Sequence, residues 1–256
     1  MTNRRDLLKA TLAGGAVASV PAASVQAAEA PLVFAQPETV TVPIVGSRQR
    51  FPVRRIYCVG RNYLAHRREL GNSESDPLFF FAKHRDMIVQ NGGRCAYPAL
   101  TKDYQHEVEL VVAMKSGGMN IPVESALDHV YGYAVGLDMT RRDQQNLMKA
   151  KQLPWEVGKS FEDSAPCGAI TPVAKIGHLK EGRIVLTVNG AVRQDSDLAN
   201  MMWNVAEVIH QLSIQAELRA GDLIYSGTPD GVAPLKPGDV MVARIDKLSD
   251  LSVTVA

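Results

Sequence analysis

Between His106 and Met114 the chain reads HEVELVVAM. Side chains of a strand alternate faces, so Glu107 and Glu109 share one face while Val108 points to the other. Two carboxylates that close repel, and burial beside Leu110, Val111 and Val112 would strongly raise a carboxyl pKa without a partner. A hard divalent cation removes both penalties, and carboxylate oxygens suit magnesium, manganese or calcium. On spacing alone the same pattern also describes two solvated charges on an amphipathic strand. The unbroken apolar run after Glu109 points instead to a strand covered on both faces. A third oxygen donor is available in Asp138, which closes the run VYGYAVGLD just before a helical segment. In that place it is equally a strand-end or helix-capping residue.

A second group lies in RNYLAHRREL, where His66 and Glu69 are three residues apart. On a helix that spacing puts both on one face, where a carboxylate can orient an imidazole and raise its basicity. Such a pair can act as a general base on water. The pattern is also that of a solvated helix rich in charge.

These residues need a framework, and strand signals dominate it. RRIYCVG, LFFFAK, VELVVAM, VYGYAVGLD, DLIYSG and VMVARI read as strands, and RIVLTVNGAVRQ as a hairpin turning at Asn189-Gly190. The helices are fewer. TRRDQQNLMKAKQL is expected to start with Thr140 as N-cap and to stop before Pro154. NVAEVIHQLS carries Asn204 as N-cap with Glu207 three residues on, a capping box, and YLAHRREL is a third, short helix. The absence of a βαβ rhythm argues against a doubly wound sheet and for a mixed, β-rich α+β fold.

The chain has 256 residues, 28 basic against 27 acidic side chains for a net charge of +1, and 46% hydrophobic residues. Near neutrality gives no reason to expect nucleic acid or an acidic membrane surface as partner. No apolar run in the body approaches the roughly 20 residues that span a bilayer. Cys58, Cys95 and Cys167 are odd in number and lack metal-ligand spacing, so they read as buried or free thiols.

Residues 1–30 differ in kind: Arg4 and Arg5, then an Ala/Gly/Val stretch with small residues around Ala27 and Ala30. They resemble a twin-arginine export signal, which implies the twin-arginine machinery as a partner, a periplasmic destination and no membrane association once the signal is removed. Residues 31–50 read as a lead-in with Val40, Val42 and Ile44 alternating as on a strand. Residues 51–256 read as one domain, undivided by linker or repeat.

GRNYLAHRREL, HEVELVVAM, YGYAVGLDMTRRDQQ, PWEVGKSFEDSAPCG and SGTPDGV follow one another in this order. Order and spacing resemble the fumarylacetoacetate hydrolase family over nearly all of residues 51–256. The opening FPVRRIYCVGRNYLAH is most similar to the branch acting on fumarylpyruvate and other acylpyruvates. The resemblance implies a β-roll like that family's C-terminal domain, and a homodimer. It makes Glu107, Glu109 and Asp138 ligands of Mg²⁺ or Mn²⁺, with Ca²⁺ as a further candidate, and His66 with Glu69 the water-activating dyad. Lys159 matches an active-site lysine, Arg142 and Gln145 match substrate contacts, and Thr228 a threonine near the substrate carboxylate. Where relatives carry a Pro/Ser-containing lid after FFFAK, this chain has His84, Arg85 and Asp86, so the identity of the substrate is in question there.

The implied reaction is metal-dependent hydrolysis of a C–C bond in a β-diketo acid, giving pyruvate and a carboxylic acid. Decarboxylation of oxaloacetate uses related enolate chemistry without an attacking water. A periplasmic protein that captures 2-oxo acids without turnover is the reading from another class; a pure binder needs none of His66, Glu69 and Lys159.

Overall fold

The computed structural model describes residues 32–73, 75 and 77–256. The expected export signal, residues 1–30, lies outside the described residues. Contacts divide the chain into Met1–Glu38 and Thr39–Ala256. In the first unit residues 32–38 are exposed and carry no helix or strand.

In chain order the second unit begins with β1 (Thr41–Pro43), β2 (Arg50–Pro52), β3 (Ile56–Gly60), α1 (Leu64–Glu69) and β4 (Phe79–Lys83). There follow β5 (Arg94–Cys95), β6 (Tyr104–Gln105), β7 (Val108–Met114), α2 (Val123–Ala126), β8 (Val130–Leu137), β9 (Thr140–Arg141), α3 (Arg142–Ala150) and α4 (Glu156–Lys159). The last stretch holds β10 (Thr171–Pro172), α5 (Val173–Ile176), β11 (Arg183–Val188), β12 (Ala191–Asp197), α6 (Val205–Gln215), β13 (Leu223–Tyr225), β14 (Val240–Ile245) and β15 (Leu251–Val255).

Two larger sheets organise these elements, one of six strands in the order β10-β8-β7-β13-β3-β4 and one of five in the order β12-β11-β14-β15-β5. Each is antiparallel apart from one parallel pair, β13 with β3 and β15 with β5. The fold is thus a mixed, β-rich α+β roll with short helices. Strand β7 lies within the six-stranded sheet, and all seven of its residues are buried. Leu110, Val112 and Met114 join a core with Leu186, Met241 and Val253 of the five-stranded sheet. Val111 and Ala113 face the other way, into a second core with Val42, Ile56 and Tyr225. Burying each such aliphatic side chain stabilises by about 1.5–3 kcal/mol. A one-residue slip would exchange the two faces and drive Glu109 into the larger core, so the register is strongly specified.

Local signals explain several connections. Asn189 and Gly190 have φ of 52° and 80°, the left-handed pair that a tight hairpin turn between β11 and β12 requires. At α6, Asn204 Oδ1 accepts from the N–H groups of Ala206 and Glu207 at 3.0 and 3.1 Å, and Glu207 Oε2 accepts from Asn204 N–H at 2.9 Å. The capping box is formed. Thr140 is not a helix cap: Thr140 and Arg141 pair with β6, and α3 begins at Arg142. Pairing of Gln105 with Thr140 holds that segment extended, which overrides the capping preference. Cys58, Cys95 and Cys167 are free and buried. Burial pushes the thiols of Cys95 and Cys167 up to about 12, which leaves them unreactive. Among the described residues no helix is long and apolar enough to cross a membrane.

Candidate active site

The pairing of β7 with β8 sets Val108 opposite Leu137 and Glu109 opposite Gly136. One step outward, Asp138 N–H donates to Glu107 C=O at 2.8 Å, so Asp138 stands across from Glu107. Directly opposed residues project to the same face, and so Asp138 joins both glutamates. Carboxylate oxygens of Glu107, Glu109 and Asp138 lie within 4.8 Å of one another. The three residues are only 4%, 1% and 1% exposed.

Glycines make room for this cluster. A Cβ on Gly136 would come within 2.4 Å of Val111 and 2.7 Å of the Tyr225 ring. On the other flank β13 pairs Tyr225 with Val111, and two residues on, Gly227 N–H donates to Glu109 Oε2 at 2.9 Å. Gly227 has φ of +94°, and a Cβ there would lie 2.7 Å from Asn62 Cβ. Gly227→Ala is expected to lower stability by about 1–3 kcal/mol, read from denaturant unfolding, because the left-handed backbone and the close approach both exclude a side chain.

Three cations balance the carboxylates. Lys159, at the end of α4, donates to Glu107 Oε2 at 2.7 Å, Asp138 Oδ2 at 2.8 Å and Thr140 Oγ1 at 2.7 Å. Arg142, opening α3, donates to the other oxygen of Glu107, to Gln105 at 2.8 Å and to Gln145 at 2.5 Å. Gly158 lets α4 approach α3, since a Cβ there would lie 2.8 Å from Gln145 Cβ. Lys83 Nζ, at the end of β4, is 2.9 Å from Asp138 Oδ1 and donates to the carbonyls of Met139 and Lys159. The sequence reading gave Lys83 no role in the site. Its signal was there, a lysine closing the apolar strand LFFFAK as Asp138 closes β8.

Burial pushes the Glu107 carboxyl up, but Lys159 and Arg142 outweigh it and hold the group well below the usual carboxylate range. Burial opposes the charge on Lys159, yet Asp138 and Glu107 raise its pKa above the ordinary lysine value. Glu109 is different. Burial first, then the charges of Asp138 and Glu107, push its carboxyl far up. Among the described residues it has no ion-pair partner and accepts from a single backbone N–H. Glu109 therefore lacks the cationic partner that Glu107 and Asp138 have, and an all-oxygen donor set at this separation fits a hard divalent cation.

His66 and Glu69 lie on α1 at the same cavity, of about 280 Å³. His66 Nδ1 is 2.9 Å from Glu69 Oε2, and Glu69 Oε1 accepts from Gly231 N–H at 2.9 Å. Burial raises the Glu69 pKa, but the hydrogen bonds from His66 and Gly231 prevail and leave it below the ordinary value. Asn62 fixes the approach to α1: its Nδ2 donates to the carbonyls of Trp203 and Ser226 at 2.9 and 2.8 Å. Glu107, Glu109, Asp138, Lys159, Arg142, Gln145, Thr228, His66 and Glu69 all line this one cavity, with Phe79, Phe81 and Trp155 as apolar wall.

His84, Arg85 and Asp86 do not line it. They bound a separate surface cleft with Arg54 and Arg55. After Lys83 the chain turns through a short 3₁₀ segment whose Met87 is buried in the second core, which turns the three polar residues outward. The departure from the relatives' lid segment thus faces solvent, away from the cavity, in this structure. The four histidines other than His66 and His84 are all hydrogen-bonded: His106 to Gln194, His129 to Ser116, His178 to Tyr133 and His210 to the Ile121 carbonyl.

Fold and site together define a mixed-sheet protein whose cavity is built on three converging buried carboxylates beside a carboxylate-held imidazole. Residues 55–256 match the family model described as fumarylacetoacetate (FAA) hydrolase C-terminal, and the chain belongs to the fumarylacetoacetate hydrolase family. Fumarylpyruvate hydrolase of Ralstonia sp is 40% identical over 70% of this chain and 93% of its own length. A mitochondrial oxaloacetate decarboxylase of Dictyostelium discoideum is 40% identical over 76% of this chain and 90% of its own. The crystal structure of fumarylpyruvate hydrolase from Pseudomonas aeruginosa, in complex with Mn²⁺ and pyruvate, is similar with TM-score 0.87 at 48% identity, covering 88% of this chain and 99% of that one.

Proposed function

We propose that this protein is a divalent-metal-dependent hydrolase that cleaves a C–C bond in a β-diketo acid, fumarylpyruvate or another acylpyruvate, to pyruvate and a carboxylic acid. The observation that carries the reading is the meeting, in one cavity, of three buried carboxylates and a carboxylate-held imidazole. Similarity to fumarylpyruvate hydrolases, one of them bound to Mn²⁺ and pyruvate, supports both the metal and the substrate class.

In this reading Glu107, Glu109 and Asp138 hold Mg²⁺ or Mn²⁺, with Ca²⁺ compatible with the same donors. Once bound, the cation supplies Lewis-acid stabilisation of the negative charge that develops at the 2-oxo acid end. His66, its Nδ1 engaged by Glu69, uses Nε2 to take a proton from a water that attacks the more distant carbonyl. Glu69 stays ionised at neutral pH because its pKa is lowered. Lys159 keeps a fixed ammonium beside the carboxylates and steadies developing oxyanion charge. Arg142, braced by Gln105 and Gln145, and Thr228 orient the substrate carboxylate.

The test is a steady-state assay with Mg²⁺ or Mn²⁺ on fumarylpyruvate, a simple acylpyruvate and oxaloacetate. Absence of cleavage of any acylpyruvate by protein that binds metal would sink the hydrolase reading. Oxaloacetate chemistry is the second reading, favoured by the oxaloacetate decarboxylase and tautomerase relatives at 37–40% identity. Mn²⁺ at about 100 times its Kd is expected to stabilise the fold by about 2.7 kcal/mol, seen as a rise of several degrees in Tm. Glu109→Gln, which keeps the shape and removes the ligand charge, is expected to lose most of that rise.

Export through the twin-arginine machinery to the periplasm rests on Arg4, Arg5 and the apolar stretch after them. Cell fractionation that finds only uncleaved chain in the cytoplasm removes it. A homodimer is the assembly the family resemblance implies, to be checked by light scattering after gel filtration.

A further inference from the structure

Gln194, on β12, is 1% exposed and does not line the cavity, yet all its hydrogen-bonding groups are engaged next to it. Its Oε1 accepts from Val108 N–H at 3.0 Å and meets His106 Nδ1 at 3.0 Å. Its Nε2 meets the Pro229 carbonyl at 2.9 Å and Thr228 Oγ1 at 2.8 Å. Two of these partners cannot exchange roles: a backbone N–H only donates and a backbone C=O only accepts. Val108 and Pro229 therefore fix which end of the amide is oxygen and which is nitrogen. It follows that His106 Nδ1 carries a proton and that Gln194 spends its second N–H on Thr228 Oγ1.

A hydroxyl that accepts from Gln194 keeps its own proton for another partner. Thr228 is 2% exposed, lines the cavity beside Gly227, and has no other hydrogen bond among the described residues. From this geometry we infer that Gln194 is a positioning residue that sets Thr228 as an obligate hydrogen-bond donor to the ligand, so this end of the cavity selects a carboxylate or carbonyl oxygen. The inference deepens the proposed function by assigning the polarity of the oxo-acid site, and it rests on that reading for the substrate's class.

The network spans the sheets. Gln194 comes from the five-stranded sheet, Val108 opens the central strand of the six-stranded one, and Thr228 follows β13. Gln194 thereby ties Thr228 to the strand that carries Glu109.

The experiment is a double-mutant cycle on the Mn²⁺-loaded full protein, with pyruvate as probe and its Kd read by calorimetry and by tryptophan fluorescence, to which Trp155 in the cavity wall contributes. Thr228→Val is expected to weaken pyruvate binding about tenfold, the scale of one hydrogen bond to a charged acceptor, and Thr228→Ser to retain it. Gln194→Glu keeps the acceptor for Val108 but presents oxygen to Thr228, which turns the hydroxyl away from the ligand. It is expected to weaken binding about tenfold alone and to add little in the Thr228→Val background. Full additivity would mean that the new charge acts by itself, and overturns the inference. So does wild-type pyruvate affinity in Gln194→Glu or in Thr228→Val. Should Gln194→Glu not fold, Gln194→Met removes the same donor without a charge, and the Thr228 pair still decides. Binding without acylpyruvate cleavage by the wild type would refute the hydrolase reading alone, whereas cleavage with Thr228→Val binding unchanged would refute only this inference.

Discussion

Metal-dependent turnover is expected to fall by about 10³-fold or more in Glu107→Gln, the scale on which preorganised electrostatic stabilisation contributes to catalysis. Glu107 is the junction of the site: one oxygen takes Lys159 at 2.7 Å and the other takes Arg142. The amide keeps the volume but removes the charge that balances both cations. Breaking a buried ion pair of this kind destabilises by about 3–5 kcal/mol, so melting must be measured beside kinetics. Calorimetry with Mn²⁺ separates the two effects, since loss of metal affinity in a folded variant marks a ligand. A folded Glu107→Gln protein with wild-type metal affinity and turnover would remove Glu107 from the proposed ligand set.

His66→Ala is expected to lower acylpyruvate hydrolysis by about 10²–10⁴-fold, the usual contribution of a positioned general base. Decarboxylation of oxaloacetate, which needs no attacking water, should fall much less. The pair of substrates therefore distinguishes the two readings in one variant. Glu69→Gln belongs beside it: the amide loses the charge that orients the imidazole nitrogen Nδ1 of His66 through its 2.9 Å contact, while Gly231 N–H can still donate to an amide oxygen. Intermediate loss of hydrolysis is expected there. Equal loss of both reactions in His66→Ala would mean that His66 supports the cavity itself.

Much of the scaffold was legible because it depends on local periodicity. The two-faced burial of β7 follows from the run VELVVAM, the hairpin from Asn189-Gly190, and the cap of α6 from Asn204 and Glu207 three residues apart. Glu107 and Glu109 share a face by alternation alone. The failure came where distant pairing overrode a local preference. Thr140 has the chemistry of a helix cap, yet pairing with β6 keeps it extended and its hydroxyl accepts from Lys159. Which way His84, Arg85 and Asp86 face was open in the sequence, and burial of Met87 decides it by turning them toward another cleft.

By itself, then, the sequence determined which residues are chemically able to act and which face of their own element they occupy, since both follow from side-chain type and a repeat of two or 3.6 residues. Only the tertiary structure decided that they meet. Asp138 reaches the glutamates through the register of β7 with β8, Lys83 and Lys159 close on Asp138 from segments far apart in the chain, and Gln194 crosses from the other sheet to hold Thr228. Register and sheet packing arise from burial summed over many side chains at once, and no short stretch of sequence carries that sum.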